Sequence, residues 1–253
     1  MRNEDVARRF GLEGGDFYIT APAPCPYLPG RRERKIFSYL SGTSAPSVNA
    51  MLTRRGFRRS QNIIYVPACE RCQACVPVRI VANDFEVTRS RRRVLTKNVE
   101  VIRRLRPPHA TGEQFSILRA YLDERHSDGG MADMTVLDYA SMVEETTVDT
   151  LIVEYSLAYP DGEERLIACA LTDKLTDGLS MVYSFFEPDE AFRSLGQFMI
   201  LDHVVRAAQV GMRYVYLGYW VKGSPRMDYK RRFRPQDRLS DGHHRIRGGV
   251  LRF

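Results

Sequence analysis

Three cysteines recur at an even spacing in the stretch YVPACERCQACVPVRI, at Cys69, Cys72 and Cys75, and a fourth, Cys25, is followed at once by Pro26. Cys25, Cys69, Cys72 and Cys75 make four thiols, the number a tetrahedral zinc or iron–sulfur site needs. They are the candidate metal ligands. C-x-x-C-x-x-C lacks a second clean C-x-x-C pair, so the competing reading is free thiols beside a turn. Cys169, in an apolar run, is expected to be buried and inert. The second group with chemical potential is basic. RRERK (Arg31 to Lys35), TRRGFRRS (Thr53 to Ser60) and TRSRRRVLTK (Thr88 to Lys97) are interleaved with Phe37, Tyr39, Phe57 and Tyr65. Cations beside aromatic faces suit phosphates and the bases of single-stranded or folded RNA, which makes Arg58, Arg59, Arg91, Arg92 and Arg93 candidate contacts. An ordinary solvated basic surface is the alternative.

The chain that must position these groups has 253 residues, 43% of them apolar, enough to bury a core without disulfides. Its five cysteines leave one over, and no run is long and apolar enough to span a membrane, so the expectation is a protein of the reducing cytoplasm. Thirty-eight Lys and Arg against 31 Asp and Glu give a net charge of +7, which points to an anionic partner, nucleic acid first. Asp123 to Glu164 is acidic, so the charge is uneven along the chain.

Residues 1–105 read as a small mixed domain and 106–253 as a second one, with the boundary at RLRPPHATG. In the first, SAPSVNAMLTRRG is a short helix with Ser47 as N-cap and Gly56 as its stop. FRRSQNIIYVPA is one strand and CVPVRIVANDFEV another, with Pro77 marking a sheet edge. Thr111 and Gln114 form a capping box for a helix reaching Arg125, followed by a loop expected to move, Ser127 to Ala132. Beyond it, TLIVEYSLAY, RLIACALTDKL and LSMVYSFFEP are strands separated by PDG (Pro160 to Gly162) and TDG (Thr176 to Gly178), an antiparallel meander. RSLGQFMILDHVVRAAQVG is a helix ended by Gly211, and RYVYLGYWV is one more strand.

Meander, helix, strand is the order of the GNAT acyltransferase core, so the fold class is α+β: an antiparallel-rich mixed sheet with flanking helices. In that core the turn before the helix offers backbone N–H groups to the pyrophosphate of an acyl-CoA donor. Here the turn holds Arg193 and Gly196, but the bulky Phe198 stands where that motif has Gly or Ala, which speaks against CoA. Gly196 could equally serve only to pack the helix on the sheet.

LGYWVKGSPRMDYKRRFRPQDRL (Leu217 to Leu239), CPYLPGR (Cys25 to Arg31), GFRRS (Gly56 to Ser60), the cysteine run through Arg79 and RSLG (Arg193 to Gly196) resemble the aminoacyl-tRNA-protein transferases. The resemblance covers nearly the whole chain and is nearest to the bacterial aspartate/glutamate leucyltransferase branch. It implies transfer of leucine from leucyl-tRNA to the α-amino group of proteins beginning with Asp or Glu, which marks them for degradation. No membrane enters that reaction. In that frame Tyr219, Lys222 and Tyr229 are the candidate catalytic groups. Arg226, Lys230 and Arg231 would bind the acceptor carboxylate, Phe185, Phe186 and Trp220 would line a leucyl pocket, and Arg193 and Gly196 would join the tRNA contacts. An aminoacyl ester is already activated, so orientation of amine and ester can supply much of the acceleration. Glu187 and Asp202 are weaker candidates as general bases; His203 reads as a core residue, and His243 and His244 as part of a closing turn and strand. Eukaryotic relatives are associated with an iron–sulfur cluster through a different cysteine pattern. Three alternatives stay open: an arginyl-tRNA donor, an acetyl-CoA-dependent GNAT enzyme, and an RNA-binding module without catalysis.

Overall fold

The computed structural model describes residues 16–125, 130–159, 162–240 and 243–247. Parts of the expected loop at Ser127, of the turn at Pro160 and of the C-terminal tail, with the side chains of His243 and His244, lie outside the described residues.

Near the N-terminus four short strands form an antiparallel sheet in the order Tyr18–Ile19, Lys35–Tyr39, Ile63–Pro67, Arg58–Ser60. Alternation puts Ile36, Ile64 and Val66 on one face, where they pack with Leu40, Leu52 and Phe57 around the helix Ala45–Arg54. That helix starts earlier than expected. Ser44, not Ser47, is its N-cap, because Pro46 presets the first turn, and the Ser47 hydroxyl donates to the Ser44 carbonyl at 2.8 Å. The single strand read through FRRSQNIIYVPA is a tight hairpin instead, turned at Gln61, whose φ of 53° is left-handed.

The larger sheet has eight strands, ordered His243–Arg247, Gln236–Ser240, Cys75–Val81, Tyr214–Val221, Gly178–Phe186, Glu164–Lys174, Thr150–Ala158, Ile102–Arg106. It takes strands from both sides of residue 105. Cys75–Val81 is interior, which corrects the edge reading of Pro77: pairing with Gln236–Ser240 stops at Val78, one residue short of the missing N–H. The meander is antiparallel as expected. The helix Leu195–Gln209 then crosses to Tyr214–Val221, which runs parallel to Gly178–Phe186. The acyltransferase-type order is present. Leu195, Phe198, Met199, Leu201 and Val204 of this helix share a core with Val153, Tyr155 and Ile167.

The opposite face carries the helices Gly112–Arg125 and Val136–Glu144, which bury Leu118, Leu122 and Tyr139 against Ile152, Cys169 and Phe185. The Thr111–Gln114 capping box is formed, with reciprocal bonds of 3.1 and 3.2 Å. The same face receives the small sheet through a buried ion pair. Arg59 donates to both carboxylate oxygens of Asp173, at 2.7 and 2.6 Å, and Thr150 and Asn49 complete the carboxylate's partners. With both side chains at most 2% exposed, removing one partner would leave a naked charge and cost about 3–5 kcal/mol.

Candidate active site

The two parallel strands pair over only three residues, Gly178 to Ser180 against Tyr214 to Tyr216, and then diverge. Backbone groups of both strands beyond that point need other partners. Arg58 supplies them on one side: its Nη2 donates to the carbonyls of Met181 and Val182, both at 2.9 Å. Lys230 supplies the other, its Nζ donating to the Tyr219 carbonyl at 2.9 Å. Gly218 makes room. It bulges the strand at a φ of 73°, and a Cβ there would sit 2.6 Å from Arg58 Nε. Two cations thus close the wedge between the strands, and the ion pairs among the described residues give neither a carboxylate. Loss of water, and then the charge of Arg58, bring the Lys230 ammonium down to about 7 from its ordinary 10.5. Beside the wedge Val182, Tyr183 and Ser184 are half-buried within an otherwise buried strand, and Tyr229 is 41% exposed.

At the end of Tyr214–Val221 an open crevice of about 500 Å³ is lined by Leu28, Arg31, Gln73, Ala74, Val76, Trp220, Lys222 and Gly223. It joins three of the stretches singled out in the sequence: CPYLPGR, the cysteine run and YWVKG. Cys72 and Cys75 are chain neighbours of its lining residues Gln73, Ala74 and Val76. The Cys72 sulfur accepts from Arg31 at 3.2 Å, the Cys69 thiol faces the Arg34 carbonyl at 3.8 Å, and burial followed by the neighbouring Cys69, Cys25 and Cys72 pushes the Cys75 thiol up to about 12. Among the described residues no three His, Cys, Asp or Glu stand at metal-holding spacing, so the zinc or iron–sulfur expectation rests on the proximity of these four thiols alone.

Several expected roles are corrected by burial. Tyr219 is buried, and its hydroxyl donates to the Gly56 carbonyl at 2.8 Å with the Tyr65 carbonyl at 3.3 Å, so its one proton ties the sheets together and is not free for an oxyanion. Phe185 and Phe186 point to opposite faces. Phe185 packs on Tyr139, while Phe186 packs on Tyr121 and beneath Gly196, so of the three expected pocket residues only Trp220 lines the crevice. Gly196 has the packing role: a Cβ there would meet the Phe186 ring at 3.2 Å. Arg193 pairs with Glu100 and Glu190, each at 2.7 Å, and is buried rather than turned to an RNA. Arg59 is likewise spent on Asp173. Arg91 donates to the carbonyls of Arg232 and Glu86 at 2.7 and 2.6 Å, which ties the helix Arg89–Lys97 to the loop after the wedge and leaves Arg92 and Arg93 exposed. Arg231 pairs with Asp228 at 2.8 Å, whereas Arg226 and Lys222 are exposed. Lys230, expected at an acceptor carboxylate, is buried in the wedge.

Of the weaker candidates for proton transfer, Glu187 is half-buried and Asp202 is structural, while His203 is a core residue as expected. Asp202 accepts from Arg103 at 2.8 Å and Tyr155 at 2.9 Å, and His203 faces the Met199 carbonyl and the Thr172 hydroxyl at 2.7 and 3.0 Å, held neutral by burial. Phe198 lies against Tyr155, so its bulk is in the core and not over the turn. Arg58's place in the wedge was missed. The signal was Gly218 between Leu217 and Tyr219 in an aromatic strand, which marks close approach by another group.

Two family models match the chain in register with this architecture: arginine-tRNA-protein transferase, N terminus, over residues 23–93, and the C terminus of the same family over residues 113–240. The chain belongs to the arginine-tRNA-protein transferase family. The first match holds the cysteine run and Arg58, the second the wedge strands and Lys230, so the candidate site forms where the two matched segments meet. The aspartate/glutamate leucyltransferase of Rhodopseudomonas palustris (strain BisB18) is 60% identical over 229 residues, 88% of this chain and 89% of the relative. Those of Nitrobacter hamburgensis and Bradyrhizobium diazoefficiens are 60% and 59% identical over the same shares. Among solved structures, FemX is 9% identical with a TM-score of 0.42, covering 84% of this chain and 81% of that one.

Proposed function

We propose that this member of the family transfers leucine from leucyl-tRNA to the α-amino group of proteins beginning with Asp or Glu, in the cytoplasm, and so marks them for degradation. Membership in the family and the names of relatives near 60% identity support the reaction class. The observation that carries the donor is the lining of the crevice. Leu28, Ala74, Val76 and Trp220 are apolar, and its charged residues are Arg31 and Lys222, with no carboxylate among the described residues to receive a guanidinium. A leucyl side chain fits such a lining; an arginyl side chain would meet like charge.

The chemistry needs little beyond alignment. The neutral α-amine attacks the ester carbonyl, an amide C–N bond forms, the ester C–O bond breaks, and the ribose oxygen leaves with the amine's proton. Lys230, buried in the wedge with its ammonium near neutrality, would pass that proton or hold the developing oxyanion. Lys222 and Arg226 are the exposed cations for the acceptor's acidic side chain. The test incubates the protein with labelled leucyl-tRNA or arginyl-tRNA and peptides beginning with Asp, Glu or Ala. Label moving from leucyl-tRNA to the Asp and Glu peptides alone is the expected result. Transfer of arginine would overturn the pocket, and transfer from neither would overturn the reaction.

A further inference from the structure

The face of the small sheet opposite its core carries an unusual row. Strand register places Tyr18 across from Phe37, Phe37 across from Tyr65, and Tyr65 across from Arg58, so these four side chains share one face and cross all four strands. Tyr39, two residues beyond Phe37, lies on the same face. Tyr18, Phe37 and Tyr39 form a ring cluster with centroids 5.5, 6.1 and 5.9 Å apart, yet Tyr18 is 48% and Tyr39 56% exposed. Lys35 stands over the Tyr65 ring at 5.3 Å. Among the described residues, these exposed aromatic rings grouped on a sheet present flat apolar faces to water.

The row has a direction. It begins at the outer strand and ends, three inter-strand steps or about 14 Å away, at Arg58, whose guanidinium enters the wedge. We propose that this face is a stacking platform for the unpaired 3′ end of the donor RNA, whose bases lie on Tyr18, Phe37 and Tyr39 while the strand's aminoacylated terminus is led toward Arg58 and the wedge. The proposal rests on the reading of the chain as an RNA-dependent transferase. Its chemistry is that of other sheet surfaces that take single strands: aromatic faces for bases and no need for base-specific hydrogen bonds.

The test compares two RNA hairpins, one ending in a short unpaired 3′ end and one blunt, by fluorescence anisotropy on the full chain. Tyr39→Ala is expected to weaken binding of the tailed hairpin about 5- to 150-fold, the range set by loss of one base–aromatic stack, and to leave the blunt hairpin unchanged. Tyr39→Phe keeps the ring and should bind as the parent does. Tyr18→Ala provides a second, equally exposed position, and circular dichroism confirms that both variants are folded. Unchanged binding of the tailed hairpin, or equal loss for both hairpins, overturns the platform. So does a change confined to the Michaelis constant of the acceptor peptide, which would make the face a peptide site, or to sedimentation, which would make it a contact between copies. The leucine-transfer assay on the parent chain is read separately. If no aminoacyl group moves while tailed RNA still depends on the rings, the reaction fails and the platform stands; if leucine moves and the rings are dispensable, the reverse holds.

Discussion

Lys230 shows how one side chain can be legible by type and illegible by place. Its position after MDY in a basic loop suggested an exposed partner for a carboxylate, but the side chain turns inward to cap the Tyr219 carbonyl. Sequence gives no warning of that, because the need arises only when two parallel strands part and leave a carbonyl unpaired. Arg58 and Arg59 repeat the lesson. They are adjacent, and strand alternation sends Arg58 into the wedge and Arg59 into a buried pair with Asp173, so neither is the surface contact that a basic run implies. With its ammonium at about 7, Lys230 carries a pH signature whose sign can be worked out. Below about pH 7 native and unfolded chains both hold the proton. Between there and its ordinary value of 10.5 the unfolded chain binds a proton that the native chain has lost, so this residue makes stability rise with pH. Lys230→Met should remove that rise, measured as the difference between parent and variant in urea unfolding at pH 6 and pH 8.5. The same variant should lower the turnover of leucine transfer by about 100-fold or more while hairpin binding persists, as removal of one proton-transfer group implies. A variant that keeps both the pH slope and full turnover would place Lys230 outside the site.

At the scale of elements, the wedge depends on Gly218 and not on Gly196. The meander, the crossing helix and the returning strand could be read from periodicity and turn residues, because each buries a continuous apolar face. The divergence of the two parallel strands could not, since it is a relation between strands with no local pattern of its own. Gly218 was the trace it left in the sequence. A Cβ at Gly218 would lie 2.6 Å from Arg58 Nε in a left-handed conformation, so Gly218→Ala must expel the guanidinium and strain the backbone. The expected cost is about 2 kcal/mol or more by thermal unfolding, with a matching loss of transfer. Gly196, by contrast, meets only the edge of the Phe186 ring at 3.2 Å, where a few tenths of an ångström relieve the contact. Gly196→Ala should change stability by less than about 1 kcal/mol and leave RNA binding intact. Equal and severe losses for both glycines would mean that the helix start, and not the wedge, organises the site.

The net charge of +7 acts at the scale of the whole molecule, but only part of it is available to an RNA. Arg59, Arg91 and Arg193 are consumed by Asp173, by backbone carbonyls and by acidic neighbours, while Arg92 and Arg93 are exposed on a helix that Arg91 anchors beside the loop carrying Arg226, Arg232 and Arg234. Counting basic residues therefore overstates the number of phosphates the protein can neutralise, whereas the slope of binding against salt counts them directly. Replacing both Arg92 and Arg93 by Ala should lower the magnitude of that slope for the tailed hairpin by about 1 to 2, since each lost phosphate contact removes roughly 0.7 to 0.9 from it. Arg91→Ala should behave differently. It frees the loop after the wedge, so transfer should fall while the salt slope stays near that of the parent, because Arg91 contacts carbonyls and not phosphates. Were the slopes of the two variants to move together, the helix Arg89–Lys97 would face RNA through Arg91 as well, and its bonds to the loop would have to open when RNA binds.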